Sequence, residues 1–228
     1  MVKALSYFNR KPGMPVDEFQ AYWRQRHPDA VTKLAGVRRY VQSHTLPTAY
    51  ARGAPAFDGI AEVWFDDTDA MRRLGGSTEY AAVRADEARF IDHDTMGLLI
   101  TEEHAIVGGS PAAGAVKMAM FLRRRPDLEV DAFQRYWRDV HGPIAAAVPQ
   151  VKRYVQSHVR RSAYERGRTP AFDGVALLWF DDTDSLRTSG GTVEAAKAAA
   201  DLPNFLASGA APVILTREHV IVELPPAA

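Results

Sequence analysis

The pentapeptide YVQSH stands at Tyr40–His44 and again at Tyr154–His158, in a chain of 228 residues. The likeness spreads outward from it. DEFQAYWRQRH (Asp17–His27) returns as DAFQRYWRDVH (Asp131–His141), a step of 114 residues. PAFDG (Pro55–Gly59) returns at Pro170–Gly174, a step of 115, so the second copy holds one extra residue in the preceding loop. WFDDTD (Trp64–Asp69) returns at Trp179–Asp184, and TEEHAIV (Thr101–Val107) returns as TREHVIV (Thr216–Val222). GGSPAAG (Gly108–Gly114) lies between the copies and has the composition of a flexible connector. The period is too long for a solenoid. One domain has been duplicated and fused, as residues 1–109 and 115–228.

Each copy predicts the same elements. Ala4–Asn9 and Met118–Arg123 are short apolar strands followed by Pro-containing turns. Val16–His27 is a helix with Phe19, Tyr22, Trp23, Arg26 and His27 on one face. Asp17 and Glu18 suit the positive end of its dipole, and His27 suits the negative end. Val37–His44 and Ile60–Phe65 alternate as strands, an Ala-rich helical stretch covers Thr68–Phe90, and a last strand covers Leu98–Val107. The order β-α-β-β-α-β is the split βαβ, ferredoxin-like unit. Such a unit leaves one apolar sheet face bare, and covering it is favourable by roughly 25 cal/mol per Å². The expected class is therefore α+β: two fused ferredoxin-like (βαββαβ) modules forming an internal pseudo-dimeric α/β barrel.

Composition narrows the function. With 28 basic and 28 acidic residues there is no cationic surplus of the kind that neutralises nucleic-acid phosphates. No apolar run is long enough to span a bilayer, and the first residues are too polar for a secretory leader, so a cytoplasmic protein without membrane contact is expected. The absence of cysteine removes disulfides, thiolate nucleophiles and cysteine-held zinc. No histidine pair has metal-ligand spacing, and no GxSxG, P-loop or GxGxxG occurs. Gly75–Gly76 and Gly190–Gly191 read as helix breaks. The expectation is chemistry with no metal and no organic cofactor.

Alternation along Val37–His44 places Arg38, Tyr40, Gln42 and His44 on one sheet face, with Val37 and Val41 on the other. Such a row either faces water or borders a pocket beneath the helix that carries Tyr22, Trp23 and His27. Tyr and His suit proton transfer near neutral pH. His104 and His219 stand beside Glu103 and Glu218, where a structural hydrogen bond is the simpler reading. The copies also differ: Glu62 becomes Leu177, Arg26 becomes Val140, and Ile91–Asp94 (IDHD) becomes Leu206–Gly209 (LASG).

Phe-x-x-Tyr-Trp-x-x-x-His on the first helix, YVQSH, FDGIAEVWFDD, DEARFID and the closing EEH together resemble the EthD family, and the resemblance covers nearly the whole chain twice. It implies a dimeric α/β-barrel fold. Relatives in that superfamily include cofactor-free polyketide cyclases, muconolactone isomerases, small quinone-forming monooxygenases and proteins of ether degradation. The reading is a cofactor-independent acid–base enzyme of cyclase, isomerase or lyase type, acting on a small hydrophobic oxygenated molecule. The alternatives are a cofactor-free monooxygenase of an electron-rich aromatic and a non-catalytic binder of a small metabolite. His27, Tyr40 and His44 would move protons, Glu62 would act as base or orient a histidine, and His93, expected in a loop, would assist. Tyr22, Trp23 and Trp64 would wall the substrate, with Tyr136, Trp137, His141, Tyr154 and His158 as the second copy's counterparts. Because Glu62 and His93 occur only once, the first copy is expected to be the working one.

Overall fold

The computed structural model describes residues 1–224. The first repeat forms β1 (Val2–Arg10), α1 (Val16–Gln25), α2 (Pro28–Val31), β2 (Val37–Thr45), β3 (Gly59–Phe65), α3 (Thr68–Leu74), α4 (Thr78–Glu87) and β4 (Ile91–Val107). The second forms β5 (Val116–Leu122), α5 (Val130–Tyr136), a π-helical turn at Trp137–His141, α6 (Gly142–Ala146), β6 (Arg153–Val159), β7 (Gly174–Phe180), α7 (Thr183–Ser189), α8 (Val193–Asp201) and β8 (Val213–Glu223). The class is α+β, with the ferredoxin-like unit present twice. The hydrogen-bonded strand order β1-β3-β2-β8-β5-β7-β6-β4 closes as a barrel. Among the described residues no helix is long and apolar enough to cross a membrane.

The compact units are not the two repeats laid end to end. One unit is Met1–Ile100 with the chain from Glu218, and the other is Thr101–Arg217. β4 and β8 are each shared between them. The second half of β4 pairs with β6 (Glu102↔His158, His104↔Gln156), while the first half of β8 pairs with β5 (Thr216↔Lys117). β4 is longer than its apolar pattern suggests, because its start holds a polar run, Asp92–Thr95, that takes in His93.

In each unit the helices cover one sheet face. In the first, Val31, Leu74 and Val83 from α2, α3 and α4 pack with Val2, Tyr40 and Phe65, while Phe19 and Trp23 of α1 pack with Phe8 and Phe90. In the second, Phe133, Trp137, Ala145 and Phe205 pack with Leu122, Tyr154, Leu178 and Phe180.

Two of the repeated motifs turn out to be structural. The aspartate of PAFDG is a clamp: Asp58 accepts from Arg10 N (2.8 Å), Arg10 Nη1 (2.6 Å) and Tyr50 Oη (2.6 Å), and Asp173 accepts likewise from Arg124 and Tyr164. The second aspartate of WFDD is an N-cap: Asp67 accepts from Ala70 N and Asp182 from Ser185 N. The glycine of PAFDG leaves room for an indole. A Cβ on Gly174 would stand 2.5 Å from Trp137 Cζ3 and 2.8 Å from the carbonyl oxygen of Ser157. Neither neighbour is free to yield, since the oxygen is backbone and the ring is buried. Gly174→Ala is therefore expected to lower stability by about 1–3 kcal/mol through overpacking, read as a shift in the urea midpoint. An unchanged midpoint would contradict the packing described.

Candidate functional site

Alternation in β2 holds only from Arg39 onward, because a bulge between Val37 and Arg39 resets the register. Val37 joins Tyr40 on the helix side, and Arg38 leaves the row to bind Asp66. Tyr40, Gln42 and His44 do share that face, under α1. Gln42 Nε2 donates to the carbonyl of Trp23 (2.7 Å) and to Tyr40 Oη (3.1 Å), so its oxygen is left to accept from His44 Nε2 at 3.1 Å. Trp23 Nε1 also donates to Tyr40 Oη (3.0 Å), and the indole stacks on His44 with centroids 4.3 Å apart and planes at 7°. The second copy repeats the network: Trp137 Nε1 to Tyr154 Oη at 3.0 Å, Gln156 Nε2 to Tyr154 Oη at 3.0 Å and to Trp137 O at 2.8 Å, and His158 Nε2 to Gln156 Oε1 at 2.8 Å. A Gln between two fixed acceptors thus sets the histidine's tautomer. Each tyrosine oxygen accepts two N–H bonds, so its own proton remains to be given.

The histidines of YVQSH are buried and unsuited to carrying a proton at neutral pH. Burial holds both His44 and His158 down to about 3, assisted by His219 beside the first and His104 beside the second. His219 meets His44 edge-on at 4.7 Å, and His104 meets His158 at 4.5 Å, so the histidine of the closing strand packs on that of YVQSH. A histidine whose folded pKa lies below its unfolded value stays neutral in the native state but takes a proton once unfolded. Its stabilisation is complete above about pH 6.5 and shrinks as the pH falls toward 3. Stability is expected to drop by roughly 1 kcal/mol per pH unit for each of the two across this window. Urea melts at pH 7.5, 6 and 5, on wild type and on His44→Gln, check this; equal slopes would contradict it.

A second pair of groups completes each site. His27, just past the end of α1, uses Nδ1 to hold Asp86 Oδ2 at 2.8 Å, and Tyr22 Oη donates to Asp86 Oδ1 at 2.6 Å. In the second unit His141 Nδ1 lies 2.9 Å from Asp201 Oδ2, and Tyr136 Oη (2.7 Å) and Asn204 Nδ2 (2.8 Å) donate to Asp201 Oδ1. Burial lowers His27 and His141, while the facing carboxylate opposes the shift. Burial alone would raise Asp201, but the bonds from Asn204, Tyr136 and His141 bring it below its usual value. Tyr22 and Tyr136 therefore support the dyad. The aspartates escaped the sequence reading. Their signal was present: Ala-Asp-x-x-x-Phe occurs at 85–90 and again at 200–205.

Three expected residues stand elsewhere. Glu62 and Trp64 project from β3 on the sheet face opposite Tyr40, because Ala61 and Val63 are the β3 residues packed on the helix side. Glu62 forms a fully buried pair with Lys3 Nζ at 2.9 Å, and Lys3 and Arg39 lie over the Trp64 ring. His93 belongs to β4 and lies with Nε2 3.8 Å from Glu87, a carboxylate raised by burial against the opposing pull of Arg84. Among the described residues no group of three or more His, Asp or Glu is disposed to hold a metal ion.

The two copies differ in room, and the direction is the reverse of that expected. In the second unit a cavity of about 290 Å³ opens between sheet and helices, lined by Tyr154, Trp137, His141 and apolar side chains. The same place in the first unit is filled, with Leu74 and Val83 packed onto Tyr40. At a step of 115 residues Leu74 becomes Ser189, Tyr80 becomes Ala195, Val83 becomes Ala198, Arg84 becomes Ala199 and Glu87 becomes Leu202. All five replacements line the cavity. Four remove bulk and two remove charge. The π-helical turn occurs only in this unit among the described residues, where Gly142 stands in the place of Pro28, and such turns recur at functional sites.

The EthD domain model matches residues 11–94 and 125–209. The chain belongs to the EthD family and carries its domain twice. No curated protein matches. Among solved structures, the chain superposes on an anthrone oxidase-like protein with TM-score 0.66 at 11% identity, over 100% of this chain and 96% of that one. It superposes on a candidate monooxygenase from Lactobacillus acidophilus with TM-score 0.58 at 8% identity, over 98% and 96%. A chlorite dismutase variant from Candidatus Nitrospira defluvii gives 0.55 at 10%, over 96% and 92%. At these identities the likeness is one of fold alone.

Proposed function

We propose that the second unit is the working one, and that it moves a proton on a small, apolar, oxygen-bearing molecule by acid–base chemistry, as in an enolisation leading to ring closure, isomerisation or loss of water. One observation carries this reading. The Tyr154 hydroxyl, with an unspent proton, and His141, with an unpartnered Nε2 among the described residues, line the same cavity. His141 Nε2 takes a proton from the carbon beside a carbonyl, the C–H electron pair becomes a C=C bond, and the carbonyl oxygen receives the proton of Tyr154. Asp201 orients the imidazole and stabilises its charged form, while the N–H groups of Trp137 and Gln156 stabilise the phenolate. Burial pushes Tyr154 up to about 12, and these two bonds act against that rise. An enolisable two-ring ketone, 2-tetralone, incubated with the protein in D₂O provides the test. Its C1 protons are expected to exchange faster than with Tyr154→Phe. Equal rates would overturn the reading, and binding without exchange would make the protein a carrier.

A further inference from the structure

The cavity of the second unit also carries information about what it excludes. Among the described residues its walls hold no Lys, Arg, Asp or Glu, and its polar groups are Tyr154, His141, the indole of Trp137 and Ser189. Three of these are already committed. Trp137 Nε1 donates to Tyr154, Ser189 Oγ donates to the Leu186 carbonyl at 2.6 Å, and His141 Nδ1 faces Asp201. What remains is one O–H to give and one ring nitrogen to receive. A carboxylate, sulfonate or phosphate entering here would lose its water with no cation to replace it, a cost of several kcal/mol. Asp201, behind His141, is negative and would repel it. The first unit is the contrast. There Arg84 and Glu87 form a 2.6 Å ion pair, and their replacement by Ala199 and Leu202 removes the charges from this place in the second copy.

Volume sets a second limit. At an interior packing density of about 0.74, a cavity of 290 Å³ accepts roughly 200 Å³ of ligand. That suits two fused rings and not four. Met118 and Met120 on the wall can adjust to shape, though not to charge.

We infer that the ligand of the second unit is an uncharged, mostly hydrocarbon molecule of about two rings, with a single carbonyl or hydroxyl oxygen placed against Tyr154, and that carboxylate-bearing analogues are rejected. This rests on the proposed site but not on the proton transfer there. Isothermal titration at pH 7.5 with 2-tetralone, 2-naphthoate and a four-ring ketone tests it. 2-Tetralone is expected to bind saturably, and 2-naphthoate at least about 30-fold more weakly, since about 2 kcal/mol of uncompensated desolvation corresponds to that factor. The four-ring ketone is expected to bind not at all. Ser189→Leu/Ala198→Val, which installs the first copy's own residues and so suits the fold, should abolish tetralone binding while the melting temperature is kept or raised. Equal affinity for 2-naphthoate, saturable binding of the four-ring ketone, no saturable binding of 2-tetralone, or retention of its binding in a folded double variant would each overturn the inference. Tetralone binding without proton exchange would sink the acid–base reading and leave the ligand class standing. Exchange together with equal naphthoate affinity would do the reverse.

Discussion

Replacing His141 with Gln, or Tyr154 with Phe, is expected to slow proton exchange on an enolisable ketone by about 10²–10⁴-fold, the usual contribution of a positioned acid or base. His141→Gln removes the basic nitrogen while an amide of similar size can still meet Asp201. Tyr154→Phe removes the proton donor but keeps the ring in the core. The second change also leaves the N–H groups of Trp137 and Gln156 without their acceptor, so a stability loss of about 1–3 kcal/mol accompanies it. Circular dichroism at the assay temperature separates the two effects. The matching changes in the filled unit, His27→Gln and Tyr40→Phe, should leave exchange within a factor of about two while costing stability comparably, because the groups they remove are also hydrogen-bonded. Equal kinetic losses from both units would contradict the assignment to the second.

Glu62→Leu is expected to act on the fold rather than on chemistry. Glu62 and Lys3 are each 1% exposed and 2.9 Å apart. Glu62→Leu takes away the carboxylate that faces the buried Lys3 ammonium, and breaking a buried pair costs about 3–5 kcal/mol. The second copy holds Leu177 at the equivalent position, so the side chain itself is compatible with the strand. The double variant Lys3→Met/Glu62→Leu removes both charges and should recover most of the loss. Urea unfolding of the three proteins measures this. A loss below about 1 kcal/mol for the single variant would show the pair to be dispensable.

The duplication, the order of elements and the family were legible because they depend on apolar periodicity and on repeated motifs that spacing alone reveals. The shared face of Tyr40, Gln42 and His44 was legible for the same reason, since a strand alternates. Arg38 was misplaced because a bulge is set by the pairing partner and leaves no mark in its own strand. Glu62 was misassigned because a carboxylate in a strand looks the same from either face, and only the packing of Ala61 and Val63 decides which. Asp86 and Asp201 lie far along the chain from His27 and His141, so their partnership depends on how the helices meet. The empty space was hardest to read. It arises from the loss of side-chain volume at Ser189, Ala195, Ala198 and Ala199, spread along two helices, whereas attention falls naturally on residues that carry chemistry.

A crystal structure with 2-tetralone soaked into the protein tests the central claim most directly. The ligand is predicted to lie in the second unit's cavity, with its ketone oxygen within hydrogen-bonding distance of Tyr154 Oη and its acidic carbon facing His141 Nε2. Density for the ligand beside Tyr40 in the first unit, or only on the outer surface, would contradict the account.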